Sequence, residues 1–139
     1  MRPLKVLLVE DNRADACLVS DLVKQTGVAT ELTWLNDGQK AIDFLDSSNE
    51  IDLMLLDLKL PKMDGHQIAD HITDDAKRKE LPIIIMTGST FQSDIDRLKE
   101  HIIVYLVKPM SIEEMDKTVV VLKEKLLLIW NANNVEVKE

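Results

Sequence analysis

Leu4-Lys5-Val6-Leu7-Leu8-Val9 is a short apolar run that stops at Glu10-Asp11-Asn12. A strand wet on one face would alternate; this one is apolar almost throughout, so it reads as buried on both faces and ending in an acidic loop. The period then changes. Ala14, Leu18 and Leu22 recur on one helical stripe, with Val19 and Val23 beside it. Asn12 is placed to cap that helix, Asp15 follows three residues on, and Thr26-Gly27 stops it.

The same unit recurs along the chain. Thr30 to Leu35 alternates as a second strand, Asn36-Asp37-Gly38 turns, and Ala41, Ile42 and Leu45 mark a second helix. Ile51 to Leu56 is a third strand ending at Asp57, and a loop through Asp64-Gly65 leads to a third helix around Ile68, Ala69 and Ile72. Pro82 to Met86 is a fourth strand ending at Thr87-Gly88-Ser89, followed by a weaker helix over Phe91 to Lys99. Ile102 to Val107 is the fifth strand, ending at Lys108-Pro109. The fifth helix starts after Ser111, its N-cap, with Glu114 at the capping-box position, and runs to about Trp130 before a polar tail. Strand and helix alternating five times predict a parallel sheet with helices on both faces. In such a sheet the binding crevice lies beyond the carboxyl ends of the strands, where the strand order reverses.

Composition narrows the function. The 139 residues suit one domain, and with 45% apolar but only 4% aromatic residues its core must be aliphatic. Twenty-five acidic residues against 17 basic give a formal charge of -8, a field that repels phosphate backbones and attracts cations. Nucleic acid is therefore not an expected partner. No segment reaches the roughly 18 apolar residues of a membrane span, and no signal peptide is legible, so the expected location is cytoplasmic. Cys17 is alone, which excludes a disulfide framework or thiolate cluster, and its helical context predicts a buried thiol. His66 and His71, five apart, face different sides of a helix and make no metal pair; His101 carries no signal either.

What sits just past the strands is more informative. Glu10 and Asp11 follow the first strand and Asp57 the third, while Thr87 ends the fourth and Lys108 follows the fifth. Each has an ordinary explanation alone: a solvated loop, a turn residue, a threonine before glycine, a lysine before proline. Together, at four strand ends of one sheet, they form a rim. Three carboxylates there would not all stay ionised unaided. Oxygen ligands without sulfur or imidazole in a shallow site suit a hard cation that keeps several waters, and magnesium is the expected ion. Lys108 would offset the charge of a phosphoryl group and Thr87 would donate to one of its oxygens.

These residues resemble the receiver domain of two-component response regulators, the CheY-like family. Four blocks carry the resemblance: Leu8 to Asn12, Leu56 to Gly65, Ile84 to Ser89 and Val104 to Pro109. It covers Leu4 to Leu128 and implies a receiver domain over residues 1–130 with a polar tail over 131–139. The implied fold is a flavodoxin-like (βα)5 doubly wound α/β sandwich with strand order 2-1-3-4-5. By position, Asp57 looks like the acceptor of a phosphoryl group from a sensor histidine kinase or phosphotransfer protein. Asp11, Asp57 and the backbone carbonyl of Lys59 would ligate magnesium, with Glu10 acting through a water. Thr87 and Lys108 match the family's phosphoryl-sensing pair, Tyr105 its switch aromatic, and Lys108-Pro109 a bond that is often cis. The implied protein is a single-domain phosphoacceptor and not a turnover enzyme; it signals to a downstream protein by a two-state switch.

Some features stand apart from the family pattern. Gly88 replaces a common alanine, and Lys59 and Ser89 occupy positions that tune dephosphorylation, Lys59 being expected to hinder or orient the attacking water. Val104 stands where a polar residue is frequent, which would make this edge stickier. The fifth helix carries Ile112, Met115, Val119, Leu122, Leu126 and Ile129 on one stripe, yet Val120, Val121, Leu127, Leu128 and Trp130 widen its apolar surface. That excess predicts a homodimer or partner face beyond the core contact. The Ile129-Trp130 ending is similar to small regulators that partner phytochrome-type kinases. Three rivals are an aspartyl-phosphate hydrolase, which would carry a second acid where Lys59 stands, a flavin-binding module, disfavoured by the acids after the first strand, and a degenerate receiver, against which the intact rim argues.

Overall fold

The computed structural model describes residues 2–47, 50–57, 60, 67–68, 70–71, 81–87 and 102–134, and of residues 87, 102 and 103 the backbone only. In chain order the elements are β1 (Leu4–Val9), α1 (Arg13–Gln25), β2 (Thr30–Leu35), α2 (Gly38–Asp46), β3 (Leu53–Leu56), β4 (Ile83–Thr87), β5 (Ile102–Val107) and a last helix (Ile112–Asn133). Gln67, Ile68, Asp70 and His71 are helical where the third helix was expected. The helix predicted over Phe91 to Lys99 lies outside the described residues.

All five strands are parallel and run in the order β2-β1-β3-β4-β5. β1 pairs with both β2 and β3, so the order reverses between them, which opens the crevice at their carboxyl ends. Because successive strand residues point to opposite faces, the core divides in two. Leu7, Val9, Met54, Leu56, Ile83 and Ile85 face α2 through Ala41 and Leu45. Leu4, Val6, Leu8, Leu53, Leu55, Ile84 and Met86 face α1 and the last helix. Each fully buried side chain of this size contributes roughly 1.5–3 kcal/mol through burial alone, which is how an aliphatic core suffices.

Local signals set the helix ends. Asn12 Oδ1 accepts from Asp15 N at 3.0 Å, Asp37 from Lys40 N at 2.8 Å and Ser111 Oγ from Glu114 N at 3.2 Å, each satisfying an otherwise orphaned first-turn amide. Glu114 reaches back to Met110 N rather than to Ser111, so the anticipated capping box is shifted by one residue. Gly27, at φ 74°, takes the left-handed turn after α1 that a side chain would resist.

Several expectations are corrected. α1 buries Ala16, Val19, Leu22 and Val23, a stripe rotated from the predicted one, so Ala14 is exposed and Leu18 only half-buried. Cys17 consequently faces outward and is exposed, lining a shallow groove with Ser20, Lys24 and Trp34. Val104 is half-buried and packs against the cluster under the last helix. The Lys108–Pro109 bond is trans. The last helix runs three residues beyond Trp130, and Asn134 fastens its end: Oδ1 accepts from Arg2 N at 2.8 Å while Nδ2 donates to Arg2 O at 3.1 Å. Ile112 is 77% exposed, whereas Thr118, Leu122 and Leu126 are buried. No helix among the described residues is long and apolar enough to cross a membrane.

Candidate functional site

The parallel ladder continues one residue beyond the strands. Glu10 N donates to Leu35 O and Asp57 N donates to Val9 O, each at 3.1 Å. This brings the ends of β1 and β3 level, so two carboxylates leave the sheet together. Glu10 is 1% exposed and Asp57 6%. Exposed Asp11 joins them, and one oxygen from each of the three lies within 4.8 Å of the others.

Lys108, just past β5, reaches over the end of β4 to this cluster. Its Nζ lies 2.5 Å from Glu10 Oε1, 2.9 Å from Asp57 Oδ2 and 3.0 Å from Asp15 Oδ2. Burial works against the charge on Lys108, but the bonds to Glu10, Asp57 and Asp15 outweigh it and hold its pKa above the ordinary lysine value. Burial pushes the Glu10 carboxyl up to about 7, with repulsion from Asp57 adding to it; bonds from Lys108 and Asn12 N limit the rise. Among the described residues, one ammonium thus serves three carboxylates with a fourth alongside. The donor set is all oxygen, carries excess negative charge and opens to water at Asp11, so it fits a divalent cation.

Glu10, Asp11, Asp57 and Lys108 are therefore brought together as the sequence predicted. Thr87 is placed by its backbone at the carboxyl end of β4, level with Val107, and its side chain lies outside the described residues. Lys59 also lies outside them. Tyr105, level with Ile85, is half-buried against the core cluster on the α2 face.

Among the described residues, two contributors were missed from sequence. Asp15 was assigned only to the start of α1, yet its side chain binds Lys108; its position in the first turn of a helix that begins at the rim was the available signal. Trp34, on edge strand β2, donates from Nε1 to Glu10 O at 2.7 Å and so ties down the acidic loop. Nothing in the alternation of β2 pointed to that bond.

The chain matches the response regulator receiver domain family over residues 6–120. It is 36% identical over 135 residues to the probable methanogenesis regulatory protein FilR2 of Methanothrix harundinacea, covering 93% of this chain and 86% of that protein. It is 35% identical over 124 residues to the response regulator Rcp1 of Synechocystis, covering 84% of each. The Mn(2+)-bound form of Rcp1 superimposes with a TM-score of 0.76 at 32% identity over 88% of this chain and 93% of that one. The phosphorylated cyanobacterial phytochrome response regulator RcpA superimposes with a TM-score of 0.79 at 27% identity over 94% and 96%. Sheet order, buried strand-end acids and matched sequence agree: the chain belongs to the response regulator receiver domain family of two-component signalling.

Proposed function

We propose that this receiver is a phosphoacceptor that takes a phosphoryl group onto Asp57 from the phosphohistidine of a sensor histidine kinase or phosphotransfer protein, in a magnesium-dependent reaction. One observation carries the reading: the Asp57 carboxylate is buried at a strand end, 2.9 Å from the Lys108 ammonium and within metal-ligating reach of Glu10 and Asp11. A carboxylate oxygen of Asp57 attacks phosphorus as the donor P–N bond breaks, and the bond's electron pair returns to the imidazole, which takes up a proton. Asp11 and Asp57 would hold the ion with the Lys59 carbonyl, and Glu10 would hold it through a water. When bound, magnesium neutralises the phosphoryl oxygens. Lys108 offsets the remaining charge, and burial of Asp57 restricts the water that hydrolyses the acyl phosphate. The chain is consumed and regenerated as a signal carrier, not a turnover enzyme.

In this reading Thr87 and Lys108 sense the new charge, and half-buried Tyr105 moves with them between two packings. Output is protein contact. Val120 is 66% exposed and Leu128 60%; they share an outward face of the last helix with Leu127, suited to a second copy of the chain or a downstream protein. Likeness to RcpA, a phytochrome response regulator, favours a phytochrome-type kinase as donor. The decisive experiment incubates the chain with magnesium and acetyl phosphate and detects the acyl phosphate by intact mass. Labelling should require magnesium and vanish in Asp57→Asn; equal labelling of that variant would overturn the proposal. Light scattering on wild type, Leu127→Glu and Leu128→Glu tests the homodimer, which a monomer in all three would exclude.

A further inference from the structure

Of the three carboxylates on Lys108, Asp15 has no place among the acceptor and cation ligands. It sits in the first turn of α1, where its backbone N–H is already taken by Asn12, so the helix start does not need its carboxylate. Yet Asp15 Oδ2 lies 3.0 Å from Lys108 Nζ. An ammonium has three hydrogens, and here Glu10, Asp57 and Asp15 account for three partners. An ion held by Glu10 and Asp57, and a phosphoryl group on Asp57, would release those two claims on Lys108, but neither event releases Asp15, which stays as the competitor the phosphoryl oxygens meet. The Asp15 side chain is 39% exposed against 2% for Glu10 and 7% for Asp57, so water can replace Lys108 at Asp15 at least cost.

We propose that Asp15 is a positioning residue that competes with the phosphoryl group for Lys108, holding the ammonium in the resting state and lowering the readiness of the rim to accept a phosphoryl group. The inference rests on the phosphoacceptor reading. Two effects point the same way: Asp15 occupies a hydrogen-bond donor that the phosphoryl oxygens need, and it adds a negative charge beside a group that arrives with about two of its own. Lys108 leaving Asp15 for the phosphoryl oxygens would also free the start of α1 from the end of β5, so the exchange is a contact that differs between the two states.

The test uses the full chain at saturating magnesium, with beryllofluoride as phosphoryl mimic and acetyl phosphate as donor. Asp15→Asn keeps size and helix start but removes the charge; it should bind beryllofluoride and label about three- to tenfold better than wild type. Asp15→Glu should return both values toward wild type. In a Lys108→Met background the same Asp15→Asn change should move them by less than about twofold, since the competition has no object there. Equal values in wild type and Asp15→Asn, or the same gain in both backgrounds, would overturn the proposal. Asp57→Asn separates the two levels: if it labels like wild type, the acceptor reading fails. If it is silent while Asp15→Asn is indifferent, only the competition fails.

Discussion

At the amino ends of the strands, Arg2 lays its guanidinium across both oxygens of Asp52 at 3.0 and 2.9 Å, and Lys5 Nζ lies 3.2 Å from Glu50. Asp52 also accepts from Lys5 N at 2.8 Å. Two cations there meet two anions at a largely exposed surface. At the carboxyl ends, Lys108 is shared among Glu10, Asp15 and Asp57 with Asp11 beside them, and two of those acids are buried. The first network closes on itself. Among the described residues the second is short of positive charge, and a folded protein sustains that only where something else supplies it.

Chemistry should therefore be lost only at the unbalanced end. Asp57→Asn should abolish magnesium-dependent labelling by acetyl phosphate, a drop of at least about a hundredfold by intact mass. Asp52→Asn, at the balanced end, should label normally. Lys108→Met tests the charge deficit itself: it leaves buried acids without their cation and should cost about 3–5 kcal/mol in metal-free urea unfolding. Added magnesium should recover much of that loss, because the ion then takes over from the ammonium. A loss indifferent to magnesium would mean that the acids do not form its site.

The Glu10 carboxyl gives the contrast a pH signature. Its folded pKa, about 7, lies above its ordinary value of 4.5, so its contribution favours folding below pH 4.5 and is lost as pH rises through 7. Metal-free protein should therefore lose about 1 kcal/mol between pH 6 and pH 8 in urea titrations. Glu10→Gln should flatten that slope, as should saturating magnesium, whereas Asp52→Asn should leave it unchanged.

Much of the site was legible because parallel β/α topology converts positions far apart in sequence into neighbours. Once strands ending at Val9, Leu56, Thr87 and Val107 were recognised, Glu10, Asp57 and Lys108 had to share a rim. Helix rotation was less legible. Ala14 and Ala16 are equally apolar, so α1's pattern admitted two phases, and only packing on Leu8 and Leu55 selected the one that exposes Cys17. Side chains that act through contacts off the strand ends escaped as well. Trp34 looks like a β-former on an edge strand, and its bond to the Glu10 carbonyl depends on how far β2 extends beside β1. Trp34→Phe keeps an aromatic ring, though a smaller one, and removes that donor; it should cost about 1 kcal/mol and weaken magnesium binding two- to fivefold by isothermal titration. Unchanged magnesium affinity would reduce Trp34 to a packing residue.

The smallest effect belongs to the balanced end and is the sharpest control on the comparison. Arg2 is half-exposed, and burial barely opposes its charge; the hydrogen bond and attraction from Asp52 raise its pKa, with Glu50 adding slightly. Exposed pairs of this kind contribute about 0.2–1 kcal/mol, since water screens the attraction and two long side chains lose freedom. Arg2→Ala leaves the bonds between the Arg2 backbone and the Asn134 side chain available, so the last helix should stay fastened. Its urea midpoint should fall slightly, by the same amount with and without magnesium, and the small loss should shrink as salt is raised. A magnesium-dependent loss at Arg2 would mean that the two ends of the sheet are coupled through β1, and the division drawn between them would have to be given up.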